Sequence, residues 1–164
     1  MRLPQPPNPA PDEPLLQSSA TTTPPPDPAV LAAGKTVYNQ LCFACHQPTG
    51  LGIPGAFPPL KDSDWISAPN PERLVRVILH GLTGPIQVNG TPYNGMMPGH
   101  APTLNDEEIA AVLTHLRHEW GSGASPVDPT SVKIIREKEA NRTAPWTLQE
   151  LEQLPPAPAN VTAN

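Results

Sequence analysis

Five consecutive residues, Cys42-Phe43-Ala44-Cys45-His46, constrain this chain more than any other feature. They hold the only two cysteines in the sequence. Two thiols at this spacing with an adjoining imidazole leave three chemistries open. A redox dithiol of this spacing sits in a βαβ setting, and the flanking residues here read as helices. A structural zinc site needs a second ligand pair at finger spacing. No second cysteine pair exists, and His115 and His118, although close together, lie far along the chain. The third chemistry is attachment of a c-type haem. Two thiols must reach the two vinyl groups on one porphyrin edge, and the adjacent imidazole must turn under the ring to bind iron. A short helical turn places all three groups, so the motif implies one haem c, held by thioethers from Cys42 and Cys45 with His46 on the iron.

Composition agrees with a large internal ligand. Only 4% of the residues are aromatic, which is thin for a core in a chain of 164 residues, and a porphyrin would fill that space. The net charge is −5 with no basic cluster, so the chain has no electrostatic footprint for nucleic acid. It also lacks a basic amphipathic helix for a membrane surface, and no apolar run is long enough to span a bilayer. The opening Met1-Arg2-Leu3-Pro4-Gln5-Pro6-Pro7 has no apolar stretch of the kind found in export signals. Haem attachment of this type is extracytoplasmic chemistry, so the expectation is a periplasmic or otherwise extracytoplasmic bacterial protein whose export signal is not in this sequence.

Proline and helix punctuation divide the chain into three parts. Residues 1–28 hold ten of the 26 prolines and read as an extended or disordered arm or tether. Residues 29–121 read as helix, loop, helix, loop, helix, with no strand segment of note. Asp27 caps a first helix that opens at Pro28, carries Val30, Val37, Tyr38 and Leu41, and runs to Cys42. A Gly- and Pro-rich loop covers 47–66. Asn70-Pro71-Glu72 opens a second helix with Leu74, Val75, Ile78 and Leu79 buried, and Gly81 stops it. Residues 82–103 read as irregular, with turn signals at Asn89-Gly90 and Asn94-Gly95. Asn105 and Glu108 form a capping box for a third helix that carries Ile109, Val112, Leu113 and Leu116 and ends near Gly121. Residues 122–164 read as a separate extension with two short helices, Pro129 to about Asn141 and Thr147 to Leu154, then a Pro-rich tail. Long irregular loops in so small a unit make sense if they wrap a flat ligand.

The iron needs a sixth ligand or an open face. His80, His100, His115, His118, Met96 and Met97 are the candidates from the residues alone. A thioether favours ferrous iron and suits electron transfer. At this point the chain from about Ala29 to Gly121 resembles class I cytochrome c, an all-α fold of helices and long loops around one haem. The resemblance rests on Cys42-x-x-Cys45-His46, Pro58-Pro59-Leu60, Met97-Pro98 and the closing helix. Within that family, Gly55-Ala56-Phe57-Pro58-Pro59-Leu60, Leu79-His80-Gly81-Leu82 and Tyr93-Asn94-Gly95-Met96-Met97-Pro98 are similar to the cytochrome domains that accompany bacterial periplasmic dehydrogenases. The resemblance implies that Met97, directly before Pro98, is the sixth ligand, with Met96 the lesser candidate. It also implies that the Pro58 carbonyl, or that of Pro59, accepts the ring N–H of His46. The closing helix departs from the family by placing His115 where an aromatic usually packs on the first helix, and Gly34 or Tyr38 is its expected neighbour. Trp65 and Tyr93 are candidate donors at the haem edge, since buried indole and phenol groups seek partners. Leu60, Ile53, Leu74, Ile78 and Leu82 are the expected apolar wall.

The expected function is one-electron transfer between a periplasmic donor of the dehydrogenase type and a downstream cytochrome or oxidase, without enzymatic activity of its own. Two other readings differ in class. A haem enzyme or gas-binding protein would need an open sixth position, and Met97-Pro98 argues against one. A subunit of a larger electron-transfer assembly would use the terminal extensions to wrap its partners.

Overall fold

The computed structural model describes residues 24–155, and most of the expected N-terminal arm and the Pro-rich tail lie outside this range. Helix α1 spans Pro28–Val37, with the Asp27 carboxylate accepting from the Ala29 N–H at 2.8 Å. Such a cap is worth about 1 kcal/mol. The expected continuous helix to Cys42 is interrupted: a π-helical turn, Tyr38–Cys42, comes after α1, and α2 then covers Phe43–His46. One added residue per turn rotates the downstream residues by about 100° relative to an uninterrupted α-helix. The aim of the cysteines and the imidazole is therefore set at this turn.

Helix α3 spans Glu72–His80 and buries Leu74 through Leu79, and α4 spans Asp106–Trp120 behind a complete Asn105/Glu108 capping box. Helices α1 and α4 cross at Gly34, where a Cβ would collide with the Ala111 carbonyl and the His115 side chain. Only glycine permits that approach. His115 then lies against Tyr38, with ring centroids 6.4 Å apart, and Trp120 meets Tyr38 edge-on at 5.4 Å. Val75, Leu79, Ile109, Val112 and Leu113 form the centre of the main core.

The segment expected to be irregular contains a β-hairpin. Strand β1, Gly81–Val88, pairs antiparallel with β2, Thr91–Pro98, across a two-residue turn at Asn89 and Gly90. Both turn residues have positive φ, 51° and 75°, as this tight hairpin turn requires. The fold is therefore mostly helical with one small sheet. Gly84, Pro85, Pro92 and Gly95 gave the segment poor strand composition. The alternation of Leu82, Gly84, Ile86 and Val88 and the Asn-Gly turn were the signals that pointed the other way.

Residues 122–155 are built into the same body. Helix α5, Pro129–Lys138, adds Val132 and Ile135 to the main core beside Val127. Its end falls at Lys138, short of the expected Asn141. Arg117 is fully buried and donates to the carbonyls of Ser125 (2.7 Å), Ile66 (2.9 Å) and Ala68 (2.8 Å), tying the linker to the long loop. Arg76 on α3 meets Glu139 at 2.6 Å, and Arg136 meets Asp106 at 2.7 Å. Helix α6, Leu148–Glu152, carries the expected Thr147/Glu150 capping box. Before α6, Trp146 pairs with the outer edge of β1 and enters a second buried cluster with Val77, Leu82, Ile86, Val88, Tyr93 and Leu151. The described part of the extension thus packs against this chain's own domain.

Candidate haem site

The loop after α2 folds back under His46. The Tyr38 hydroxyl donates to the Gln47 carbonyl at 2.6 Å, and the Gly52 N–H donates to the His46 carbonyl at 3.0 Å. The N–H groups of Leu60 and Lys61 converge on the Gly50 carbonyl at 2.7 and 2.9 Å. These bonds bring Pro58 beside the imidazole, and Nδ1 of His46 lies 2.9 Å from the Pro58 carbonyl oxygen. A carbonyl only accepts, so Nδ1 carries the proton and Nε2 keeps its lone pair. Burial holds the His46 pKa below its usual value against the opposing pull of that hydrogen bond, which keeps the ring neutral and able to ligate.

His46 lies on the wall of an apolar cleft with two adjoining lobes, which share His46, Pro58, Leu82, Ile86 and Met97. Cys45, Phe57 and Tyr93 line one lobe. Cys42, Leu60, Trp65, Leu74, Ile78, His100, Leu113 and Leu116 line the other. Both cysteines are half-buried and unbridged. Burial, aided by the neighbouring Cys45, pushes the Cys42 thiol up to about 11. A reactive dithiol needs the opposite shift and a βαβ setting, whereas these two thiols sit on a π turn and a helical turn, so they do not fit a redox disulfide. No group of three or more His, Cys, Asp or Glu side chains is gathered to hold a metal ion among the described residues. The donor set fits a haem: two thiols and a neutral imidazole with a free Nε2 lie along a slot whose other walls are hydrocarbon.

The remaining candidates separate by position. Met97 is half-buried in the cleft, between both apolar clusters, whereas Met96 is 71% exposed. Met96 also touches the rim of the first lobe. Tyr93 is buried in the cleft wall. Trp65 lines the cleft too, but its indole N–H donates to the Gln87 carbonyl at 2.8 Å and Arg73 stacks on its ring, so hairpin docking occupies the donor expected at the haem edge. His100 lines the second lobe, and burial lowers its pKa. His80 points away to Glu139 at 3.4 Å, and His118 is exposed. Ile53, expected in the wall, is exposed, because a small bridge to Phe57 turns it outward. Ile86 takes a place in the wall that was not expected. Its signal was the period-two pattern of β1.

A mostly helical fold wrapped around a Cys-x-x-Cys-His slot defines a c-type haem protein. Residues 31–120 match the cytochrome c family model, and the chain belongs to that family, whose cofactor is covalently bound haem c. The chain is 44% identical over 116 residues to cytochrome c-552 of Thermus thermophilus, covering 66% of this chain and 87% of that protein. It is 34% identical over 119 residues to the cytochrome c subunit of a quinone-dependent alcohol dehydrogenase from Gluconacetobacter polyoxogenes, covering 68% of this chain but 25% of that subunit. The gluconate 2-dehydrogenase cytochrome c subunit of Pantoea cypripedii is 32% identical over 111 residues, covering 65% of this chain and 24% of that protein. The chain is thus a cytochrome c electron-transfer protein. Among the described residues no helix is long and apolar enough to cross a membrane.

Proposed function

We propose that His46 and Met97 are the two axial ligands of the haem iron, with Cys42 and Cys45 as its thioether anchors. The protein then acts as a one-electron carrier rather than an enzyme, in the periplasm or another extracytoplasmic space of a bacterium. The observation that carries this reading is that His46 and Met97 are both shared by the two lobes of a single apolar cleft. When bound, the haem supplies reversible one-electron exchange at its iron. The Pro58 carbonyl orients His46 and raises its basicity as a ligand, as outer-shell acceptors do. The hydrocarbon of Leu60, Ile78, Leu82 and Ile86 keeps water out and, together with the Met97 thioether, favours the less charged ferrous state. The electron donor is a dehydrogenase and the acceptor a further cytochrome or an oxidase. The alcohol and gluconate dehydrogenase cytochrome subunits support this partner class, as does an oxidase-subunit relative, the CcoP subunit of a cbb3-type cytochrome c oxidase from an Azospirillum strain, 30% identical over 103 residues.

The test is an optical spectrum of the exported holoprotein. A pyridine haemochrome of the c type, with the weak far-red methionine-to-iron band in the oxidised form, is expected. A spectrum without that band, with ready carbon monoxide binding by the reduced form, would replace this reading with an open or His-ligated iron.

A further inference from the structure

The proposed Met97 ligation raises the question of what holds Met97 against the iron, because an isolated two-stranded hairpin is marginal in water. The outer residues of β2 offer little support: Asn94, Gly95 and Met96 are exposed. Support comes to β1 from the other side. Leu82 has Met97 as its antiparallel partner and Trp146 as its parallel partner, so Trp146, Leu82 and Met97 lie side by side across three chain segments. The Trp146 N–H donates to the Gly81 carbonyl at 3.0 Å, and the Thr83 N–H donates to the Trp146 carbonyl at 2.8 Å. These groups face away from β2, so the strap adds to the hairpin ladder without competing with it.

The strap is itself held at several points. The Trp146 indole is buried with Leu82, Ile86 and Tyr93, all three of which line the cleft. The Arg142 guanidinium stacks 3.5 Å above the indole. Its NH2 nitrogen donates to Glu150 and to the Pro145 carbonyl, each at 2.9 Å. Upstream, Glu139 is anchored to Arg76 on α3, the helix that leads into β1. Trp146 is not among the residues that line either lobe of the cleft.

We propose that Trp146, clamped by Arg142, is a positioning residue for the iron ligand: through Leu82 it keeps Met97 seated on the iron. This inference rests on the Met97 ligation proposed above. A thioether is a displaceable ligand, and the apparent affinity of a competitor for the iron scales with the fraction of molecules in which Met97 is off. Among the described residues the indole Nε1 has no hydrogen-bond partner, so the strap needs the ring's bulk and not its N–H. Phenylalanine should therefore rescue what alanine loses.

The test compares wild-type holoprotein with Trp146→Ala, Trp146→Phe and Arg142→Gln in three readouts: carbon monoxide affinity of the reduced form, midpoint potential, and the temperatures at which the far-red band and far-UV dichroism are lost. Trp146→Ala is expected to bind carbon monoxide about tenfold more tightly, because the open fraction rises. Its potential should fall, and its far-red band should disappear well below the global melt. Arg142→Gln should shift the same readouts in the same direction by less, and Trp146→Phe should behave like wild type. A lower melting temperature in Trp146→Ala, with carbon monoxide affinity and potential unchanged and the band lost only at unfolding, would overturn the proposal and leave Trp146 a stability residue. If Trp146→Ala does not fold, Arg142→Gln decides by the same criterion. A wild-type protein without the far-red band overturns the Met97 ligation and this inference together. A wild-type band with unaltered variants overturns this inference alone.

Discussion

The two walls of the haem cleft are made from chain segments of very different range. On the His46 side everything is close in sequence. The cysteines and His46 lie on one π turn and one helical turn, and the acceptor for the imidazole, Pro58, is twelve residues away. On the Met97 side, a hairpin packs on α3 and is backed by Trp146 and Leu151 from the far end of the chain. The first wall needs only local geometry and two covalent bonds. The second depends on non-local pairing, so it is the wall whose properties can change while the haem stays attached.

Several experiments would break or sharpen that contrast. Replacing both cysteines, Cys42→Ser with Cys45→Ser, should abolish covalent haem entirely, read as complete extraction of haem into acidified acetone. Met97→Ala should retain covalent haem and lose the far-red band, whereas Met96→Ala, at an exposed position, should keep the band and change stability by no more than about 0.5 kcal/mol. An unchanged band in Met97→Ala would remove the proposed assignment of the second wall. Gly34→Val tests the seam behind the first wall. Its side chain would collide with the Ala111 carbonyl, and denaturant unfolding of the holoprotein should show a loss of about 3 kcal/mol. Thr147→Ala removes the cap of α6 on the Met97 side and should cost about 1 kcal/mol in the same assay.

The smallest expected effect is in pH. Burial lowers the pKa of His115 from its usual 6.5, and lowers His80 and His100 in the same direction. The folded protein resists protonation that the unfolded chain accepts. Their contribution to stability is therefore complete above about pH 6.5 and is lost as the pH falls through the lowered folded values. His115→Phe should flatten part of that acid-side decline in a series of thermal melts, and an identical slope would show that His115 does not contribute to it.

Much of the helical frame was legible from punctuation. Asp27-Pro28, the two capping boxes and Gly81 each act on their own turn, so their effect does not wait for the rest of the fold. The π turn before Cys42 was not legible, because Tyr38-Asn39-Gln40-Leu41 suits an ordinary α-helix. The hairpin was half visible. Asn89-Gly90 carried the correct turn chemistry, but the flanking glycines and prolines hid strands that exist because one face packs on α3 and Trp146. The Trp65 indole was readable as a donor in search of a partner, but which acceptor it finds depends on where β1 docks.

The attachment chemistry was determined by the sequence alone. Cys42, Cys45 and His46 are close enough that any helical turn through them presents two thiols and an imidazole together, and that motif with the elements around it pointed to the family. The resemblance already favoured Met97 over Met96, but only the tertiary structure shows how the two part and what stands behind Met97. Met96 and Met97 are adjacent and chemically identical, and alternation along β2 turns one out and the other in. That alternation acquires a direction only once β1 is pinned between β2 and a residue from the other end of the described chain.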